Sequence, residues 1–260
     1  MDFGLKGRRA LVTGGSHGIG RSVALALAGE GCDVAICARR ADLVDAVTAE
    51  LRALGSDAIG VTADATQPAD IDRVFAAIGA RWGTLHVLVN NVGGGGRWGS
   101  ADVMATAETV WQEVYDKNAM AAVRFTRLAV PLMVQEGWGR VVTVTSTLGK
   151  QGGGRPWFNM AKCAQTAMMK SLAMNHEFAR AGITFNSVAP GCIMIPDTGW
   201  ERQMQQDPNA FREMVDRTFP LGRLGTPEEV ASLVVFLCST QASLVTGASI
   251  LADGAESACL

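Results

Sequence analysis

The sequence predicts an α/β protein, one doubly wound domain whose mainly parallel sheet carries helices on both faces. Three observations carry that expectation. Short apolar runs alternate with longer segments whose apolar residues recur at helical spacing. A glycine-rich loop joins the first apolar run to the first helical segment. The polar motifs all fall where apolar runs end, and open parallel sheets bind ligands at the carboxyl ends of their strands. Alternating strands and helices imply right-handed crossovers between parallel strands.

Arg9–Thr13 reads as the first strand, and the helical pattern from Arg21 to Ala28 follows the loop Thr13-Gly14-Gly15-Ser16-His17-Gly18-Ile19-Gly20. Strand, glycine loop and helix in that order form a phosphate site. The glycines let backbone N–H groups approach a pyrophosphate, and the helix N-terminus favours negative charge. The alternative is a plain glycine turn; the flanking strand and helix favour the phosphate reading. Asp33–Cys37 is the second strand and runs into Ala38-Arg39-Arg40. A site for NAD places an acid here to bind the ribose 2′-hydroxyl. Arg39 would instead attract a 2′-phosphate, with His17 adding to the contact, unless the two arginines are simply solvated.

Residues 42–54 have helical spacing, and Ala58–Ala63 is a third strand ending at Asp64. That carboxylate either meets an adenine amino group or caps a turn before Pro68. Residues 69–80 form another helix, and Leu85–Val89 is a fourth strand entering Asn90-Asn91-Val92-Gly93. A long helical pattern runs from Trp157 to about Arg180 and opens with Trp157-Phe158-Asn159-Met160-Ala161-Lys162. Phe158 and Lys162 are four apart and share one face. A catalytic pair at this spacing is normally a tyrosine and a lysine, the ammonium lowering the phenol pKa. Here the first member has no hydroxyl.

Composition sets outer bounds. The chain has 260 residues, 48% apolar and 18% charged, with no internal repeat, so residues 1–260 read as a single domain. Basic and acidic residues nearly balance, 23 against 25, which gives no global field for nucleic acid or an anionic membrane. Cys32, Cys37, Cys163, Cys192, Cys238 and Cys259 lack metal-type spacing, so no metal is expected, and they read as reduced thiols of a cytoplasmic protein. The first residues lack the apolar segment of a signal peptide, and no apolar run approaches the roughly 20 residues that span a bilayer.

Together these motifs resemble the short-chain dehydrogenase/reductase family. Thr13-Gly14-x-x-x-Gly18-Ile19-Gly20 matches its cofactor motif, and Asn90-Asn91-Val92-Gly93 its Asn-Asn-Ala-Gly motif with valine for alanine. Asn118 falls on the family's catalytic asparagine, and Ser146, in the fifth-strand segment Val141–Gly149, on its catalytic serine. Pro190-Gly191 follows a sixth strand, Ile183–Val188; Pro220–Arg223 with Pro227–Val230 and the closing Thr246–Gly254 complete a register that spans nearly the whole chain. The 3-oxoacyl-thioester-reductase-like branch is the most similar.

The resemblance implies a seven-stranded Rossmann domain, a bound NADP(H), and hydride exchange with a ketone or secondary alcohol. It implies cofactor contacts from Gly14, Ser16, His17, Gly18, Ile19, Arg39, Arg40, Asp64, Asn91, Gly93, Pro190, Gly191 and Ile193. Ser146 would hydrogen-bond the substrate oxygen. Lys162 would bind the nicotinamide ribose and place positive charge near the reacting oxygen. Asn118 would hold a water that passes protons toward Lys162. A homodimer or homotetramer is implied, joined in part by the helices after Asp116 and after Trp157.

Three positions depart from the family. Ile195 stands where a threonine usually meets the nicotinamide carboxamide, and Ala255 where a second glycine follows Asp253-Gly254. Phe158 stands at the catalytic tyrosine, and losing a general acid costs on the order of 10²–10⁴ in rate. Either an active oxidoreductase has had its tyrosine replaced deliberately, or this is a natural NADP(H)-binding protein, a sensor or subunit, without the chemistry. Retention of Ser146, Asn118 and Lys162 favours the first.

The substrate pocket is expected between Gly93–Trp98, Gly152–Trp157 and a lid at about 192–220. Trp98, Trp157 and Trp200 would wall it, and Arg97 and Arg155 would recognise an acidic group, unless the tryptophans pack loops and the arginines are solvated.

Overall fold

The computed structural model describes residues 2–100 and 102–259. Seven strands form one sheet in the order β3-β2-β1-β4-β5-β6-β7, and every neighbouring pair is parallel. The strands are β1 Arg9–Thr13, β2 Asp33–Ala38, β3 Ile59–Thr62, β4 Val87–Asn90, β5 Gly139–Val144, β6 Ile183–Pro190 and β7 Ser249–Ala252. The expected "mainly parallel" sheet is thus wholly parallel. The helices are α1 Gly18–Gly29, α2 Ala41–Ala53, α3 Pro68–Arg81, α4 Glu108–Tyr115, α5 Ala121–Glu136, α6 Pro156–Ala173, α7 His176–Arg180, α8 Gly199–Gln206, α9 Pro208–Thr218 and α10 Pro227–Cys238.

Strand periodicity divides the interior into two cores. Side chains alternate across a sheet, so neighbours in a strand serve opposite faces. Val12, Ile36, Val89 and Val142 meet Val23 and Leu27 of α1, Val44 of α2 and Val234 of α10. Leu11, Cys37, Leu88 and Val141 meet Ile71 and Val74 of α3, Phe125 of α5 and Met169 of α6. Strands buried on both faces must be apolar at successive positions, which is why Leu-Val, Ala-Ile and Val-Leu-Val runs betray them.

The expected long helix after Trp157 divides. α6 stops at Ala173, and the Asn175 side chain accepts hydrogen bonds from the N–H groups of Glu177 and Phe178, starting α7. An asparagine offering that cap competes with helix continuation. The 192–220 segment is two helices, α8 and α9, with a small apolar cluster of its own around Phe211, Val215 and Phe219.

The strand order reverses between β1 and β4, and one threonine closes that seam. Thr13, 1% exposed, accepts from the N–H groups of Asn91 at 2.9 Å and Val92 at 3.1 Å. Asn91 returns a hydrogen bond from Nδ2 to the Thr13 carbonyl at 2.9 Å. Thr13→Val keeps the shape and orphans both N–H groups; we expect a loss of about 2–3 kcal/mol, read as a lower urea midpoint at unchanged slope.

Candidate active site

The carboxyl edge of the sheet opens into a cleft of about 720 Å³. Gly14, Ser16, His17, Arg39, Arg40, Asp64, Asn91 and Gly93 line it, all expected from sequence. Gly14 has φ +67°, a region that L side chains resist, and a Cβ on Gly20 would overlap the Gly14 carbonyl and the Asn91 amide. The loop thus folds against β4 with its backbone bare toward the cleft, a surface suited to a pyrophosphate. Gly18, also at positive φ, and Ile19 begin α1 beneath it.

The distal wall is cationic. Arg39 and Arg40 are exposed after β2, and His17 is half-buried before α1. Asp64 turns inward: its Oδ1 accepts from the Thr66 N–H and hydroxyl at 2.9 and 2.8 Å. Burial works to raise its pKa, but the Thr66 hydrogen bonds and the Arg39 and Lys117 charges hold it below the usual range. Lys117 is a wall residue that sequence reasoning passed over, although it directly precedes Asn118. Its Nζ lies 4.5 Å from the Trp98 ring centre, and burial, then Arg39, lowers its pKa.

Asn118, Phe158 and Lys162 meet behind Gly93, and Ser146 follows the strand that Lys162 bonds. Residues Asp116–Met120 form a π turn between α4 and α5, and it turns Asn118 into the interior. Asn118 donates to the carbonyls of Gly94 at 2.8 Å and Val114 at 2.7 Å and accepts from the Gly94 N–H at 3.1 Å. Ser146 sits just past β5, its hydroxyl accepting from the Leu148 N–H at 3.2 Å. Lys162 is 4% exposed; Nζ donates to the Val144 carbonyl at 3.2 Å and to Gln165 Oε1 at 3.0 Å. Burial pushes its pKa down to about 7. The Phe158 ring, half-buried, lies one helical turn back with its centre 5.6 Å from Nζ. A Cβ on Gly93 would stand 2.6 Å from Asn118 Oδ1 and 3.1 Å from Lys162 Nζ, so only glycine admits both groups.

Other expected residues lie elsewhere or do other work. Pro190 ends β6, and the N–H of Gly191 just after it donates to the Ala252 carbonyl at 3.2 Å. Ile193 bridges to Gly225 and faces a separate cavity of about 260 Å³. Ile195 packs over Gly18, and the Thr198 hydroxyl donates to the Ile195 carbonyl at 2.6 Å. Trp157, expected as a pocket wall, is fully buried edge-on to Trp111, with ring centres 5.2 Å apart. Arg155, expected to recognise an acid, donates instead to the carbonyls of Arg97, at 2.8 Å, Trp98 and Gly99. Its guanidinium holds the 97–99 loop in place. Arg97 lies over the Trp200 ring at 5.2 Å, joining that loop to α8, while Trp200 packs on Phe211. Trp98, 41% exposed, is the one of the three tryptophans in the cleft wall.

Among the described residues, no group of histidine, cysteine or acidic side chains could hold a metal, and no helix is long and apolar enough to cross a membrane.

Comparison with known proteins agrees with this geometry. Residues 14–255 match the family described as Enoyl-(Acyl carrier protein) reductase. The chain is 34% identical over 257 residues to the 3-oxoacyl-(acyl-carrier-protein) reductase FabG of Escherichia coli, covering 98% of each chain. It is 32% identical over 258 residues to the bovine (Bos taurus) dehydrogenase/reductase SDR family member 4, covering 96% of this chain and 87% of that protein. The L-sorbose reductase of Gluconobacter frateurii, solved with NADPH and L-sorbose, superposes with a TM-score of 0.91 at 30% identity over all of both chains. A putative gluconate dehydrogenase from Agrobacterium tumefaciens gives 0.89 at 29% identity, again over all of both chains. Fold, cleft and sequence register converge: the chain belongs to the short-chain dehydrogenase/reductase family of oxidoreductases.

Proposed function

We propose that this protein is an NADP(H)-dependent oxidoreductase acting on a ketone or secondary alcohol, with its proton step slowed by Phe158. The observation that carries the reading is a cleft walled by a bare glycine loop, Arg39, Arg40 and His17, in which Gly93 stands directly against Asn118 and the buried ammonium of Lys162. Ser146, just past the end of the strand whose Val144 carbonyl Lys162 bonds, supplies the hydroxyl. The NADPH-bound sorbose reductase supports the choice of cofactor.

In this reading the N-terminus of α1 and the loop before it bind the pyrophosphate, and Arg39 faces the 2′-phosphate. Lys162 holds the nicotinamide ribose and keeps a positive charge beside the reacting oxygen. Ser146 orients that oxygen by donating its hydroxyl proton in a hydrogen bond. A nicotinamide held there would supply or accept the hydride. Phe158 keeps the ring that shapes the wall and offers no proton. The α8–α9 segment covers the substrate end, where Arg97 and Trp200 already join it to the cleft loop. Self-association is assigned to the apolar groove of about 670 Å³ between α5, α6 and α7, where Val130, Pro131, Met168 and Phe178 are exposed or half-buried apart from Val130.

Cofactor choice is tested by fluorescence titration. NADPH should bind more tightly than NADH, and Arg39→Asp should reverse the order; unchanged ratios would remove Arg39 from the site. The proton step is tested with Phe158→Tyr, by following reduced-cofactor absorbance with a panel of ketones and secondary alcohols. The variant should turn over on the order of 10²–10⁴ faster than the parent. If both chains bind NADPH and neither reduces any ketone, the reading as an oxidoreductase of this class fails in favour of a cofactor-binding role. Lys162 adds a pH dependence. Its ammonium is present below about pH 7 and lost above, so NADPH affinity should weaken as pH rises through 7. In Lys162→Met that part of the pH dependence should vanish.

A further inference from the structure

Gln165 lies one turn beyond Lys162 on α6, on the same face, and is 1% exposed. A carboxamide in such a place is costly unless both of its ends are bonded. Both are. Oε1 accepts from Lys162 Nζ at 3.0 Å, and Nε2 donates to the Asn118 carbonyl at 3.1 Å, across 47 residues of chain. Lys162 has one further acceptor, the Val144 carbonyl at the end of β5. The ammonium is therefore held between two carbonyl oxygens, one on the sheet and one on a side chain tied to the π turn.

We propose that Gln165 is a positioning residue for Lys162, a strut that fixes the ammonium between β5 and the π turn and sets how readily it keeps its proton. The chemistry of the link matters. A water between Lys162 and Asn118 could hand a proton along; a carboxamide takes up no proton near neutral pH. The contact is mechanical and electrostatic: Gln165 holds the ammonium in place and itself carries no proton. The Asn118 side chain is itself engaged by Gly94 and Val114. Its consequence for turnover rests on the oxidoreductase reading above; the strut itself does not.

Titratable groups also stand on the elements packed against α6: Glu108, Glu113 and Tyr115 on α4, Asp116 and Lys117 on the π turn, Arg140 on β5, His176, Glu177 and Arg180 on α7, and Cys163 and Lys170 on α6 itself. Asp116 pairs with Arg124 at 2.7 Å, and Lys117 lies against Trp98. An acceptor carbonyl favours the charged amine, so removing it lowers the Lys162 pKa, and a carboxylate in its place raises it.

The test uses the full chain with lysine labelled by ¹³C at Cε. Lys6, Lys117, Lys150 and Lys170 are the other lysines, and Lys162→Arg identifies the Lys162 signal. Without cofactor, the Lys162 midpoint should fall by about one pH unit in Gln165→Met and rise by about one unit or more in Gln165→Glu. Shifts of opposite sign are not expected of a residue that only fills space. Midpoints unchanged in both variants, or moved in the same direction, would overturn the proposal. Should Gln165→Met fail to fold by circular dichroism, Gln165→Glu alone decides: a raised midpoint supports the strut and an unmoved one rejects it. NADPH affinity, measured in parallel on the parent, keeps the two readings apart. A chain that fails to bind NADPH yet shows both shifts loses the proposed function and keeps the strut; the reverse outcome loses the strut alone.

Discussion

A lysine ammonium enclosed in the fold, with no carboxylate partner among the described residues, is the constraint around which this site is arranged. Isolating such a charge from water costs several kcal/mol, and proteins answer by supplying dipoles or by releasing the proton. Both answers are visible at Lys162. Two carbonyl oxygens receive its N–H groups, and burial brings its pKa down to about 7. The surroundings give way to it: Gly93 carries no Cβ where one would press on Nζ, and at Gly149 a Cβ would meet the Lys162 carbonyl at 3.0 Å. β5, the π turn and the segment after β4 are thereby brought to one point.

The same economy explains the cleft walls. Loops between strands and helices need partners for their backbone groups, and here charged side chains serve. Arg155 bonds three successive carbonyls of the 97–99 loop, and the carboxylate of Glu256 accepts from the Cys192 N–H at 2.6 Å after β6. Arg97 and Lys117 rest on tryptophan faces. Cations that look available for an acidic ligand in the sequence are in part committed to holding the protein's own loops, which leaves the strand-end pair Arg39 and Arg40 exposed in the cleft.

The glycine-loop half of the cleft was legible because its signals are local. The turn after β1 needs glycine at positions 14, 18 and 20, and the residue after β2 chooses between acid and arginine; each is read within a few positions. The packing of the loops beyond it was not. Trp157 lies one residue before Phe158 on the same helix, a third of a turn away, and so faces Trp111 rather than the cleft. The break at Asn175 was missed because apolar spacing continues through it, while the cap that starts α7 depends on one side chain.

By itself the sequence determined the α/β architecture, the carboxyl-edge location of the cleft, the glycine loop and its arginine wall, and the absence of a hydroxyl at 158. Periodicity and short motifs encode these, since they depend on residues a few positions apart. Only the tertiary structure decided that the sheet is wholly parallel, that Arg155 holds a loop, that Lys117 enters the cleft, and that Gln165 joins Lys162 to Asn118. Those depend on distances between segments far apart in the chain, and no local pattern specifies which carbonyl a buried amide will meet.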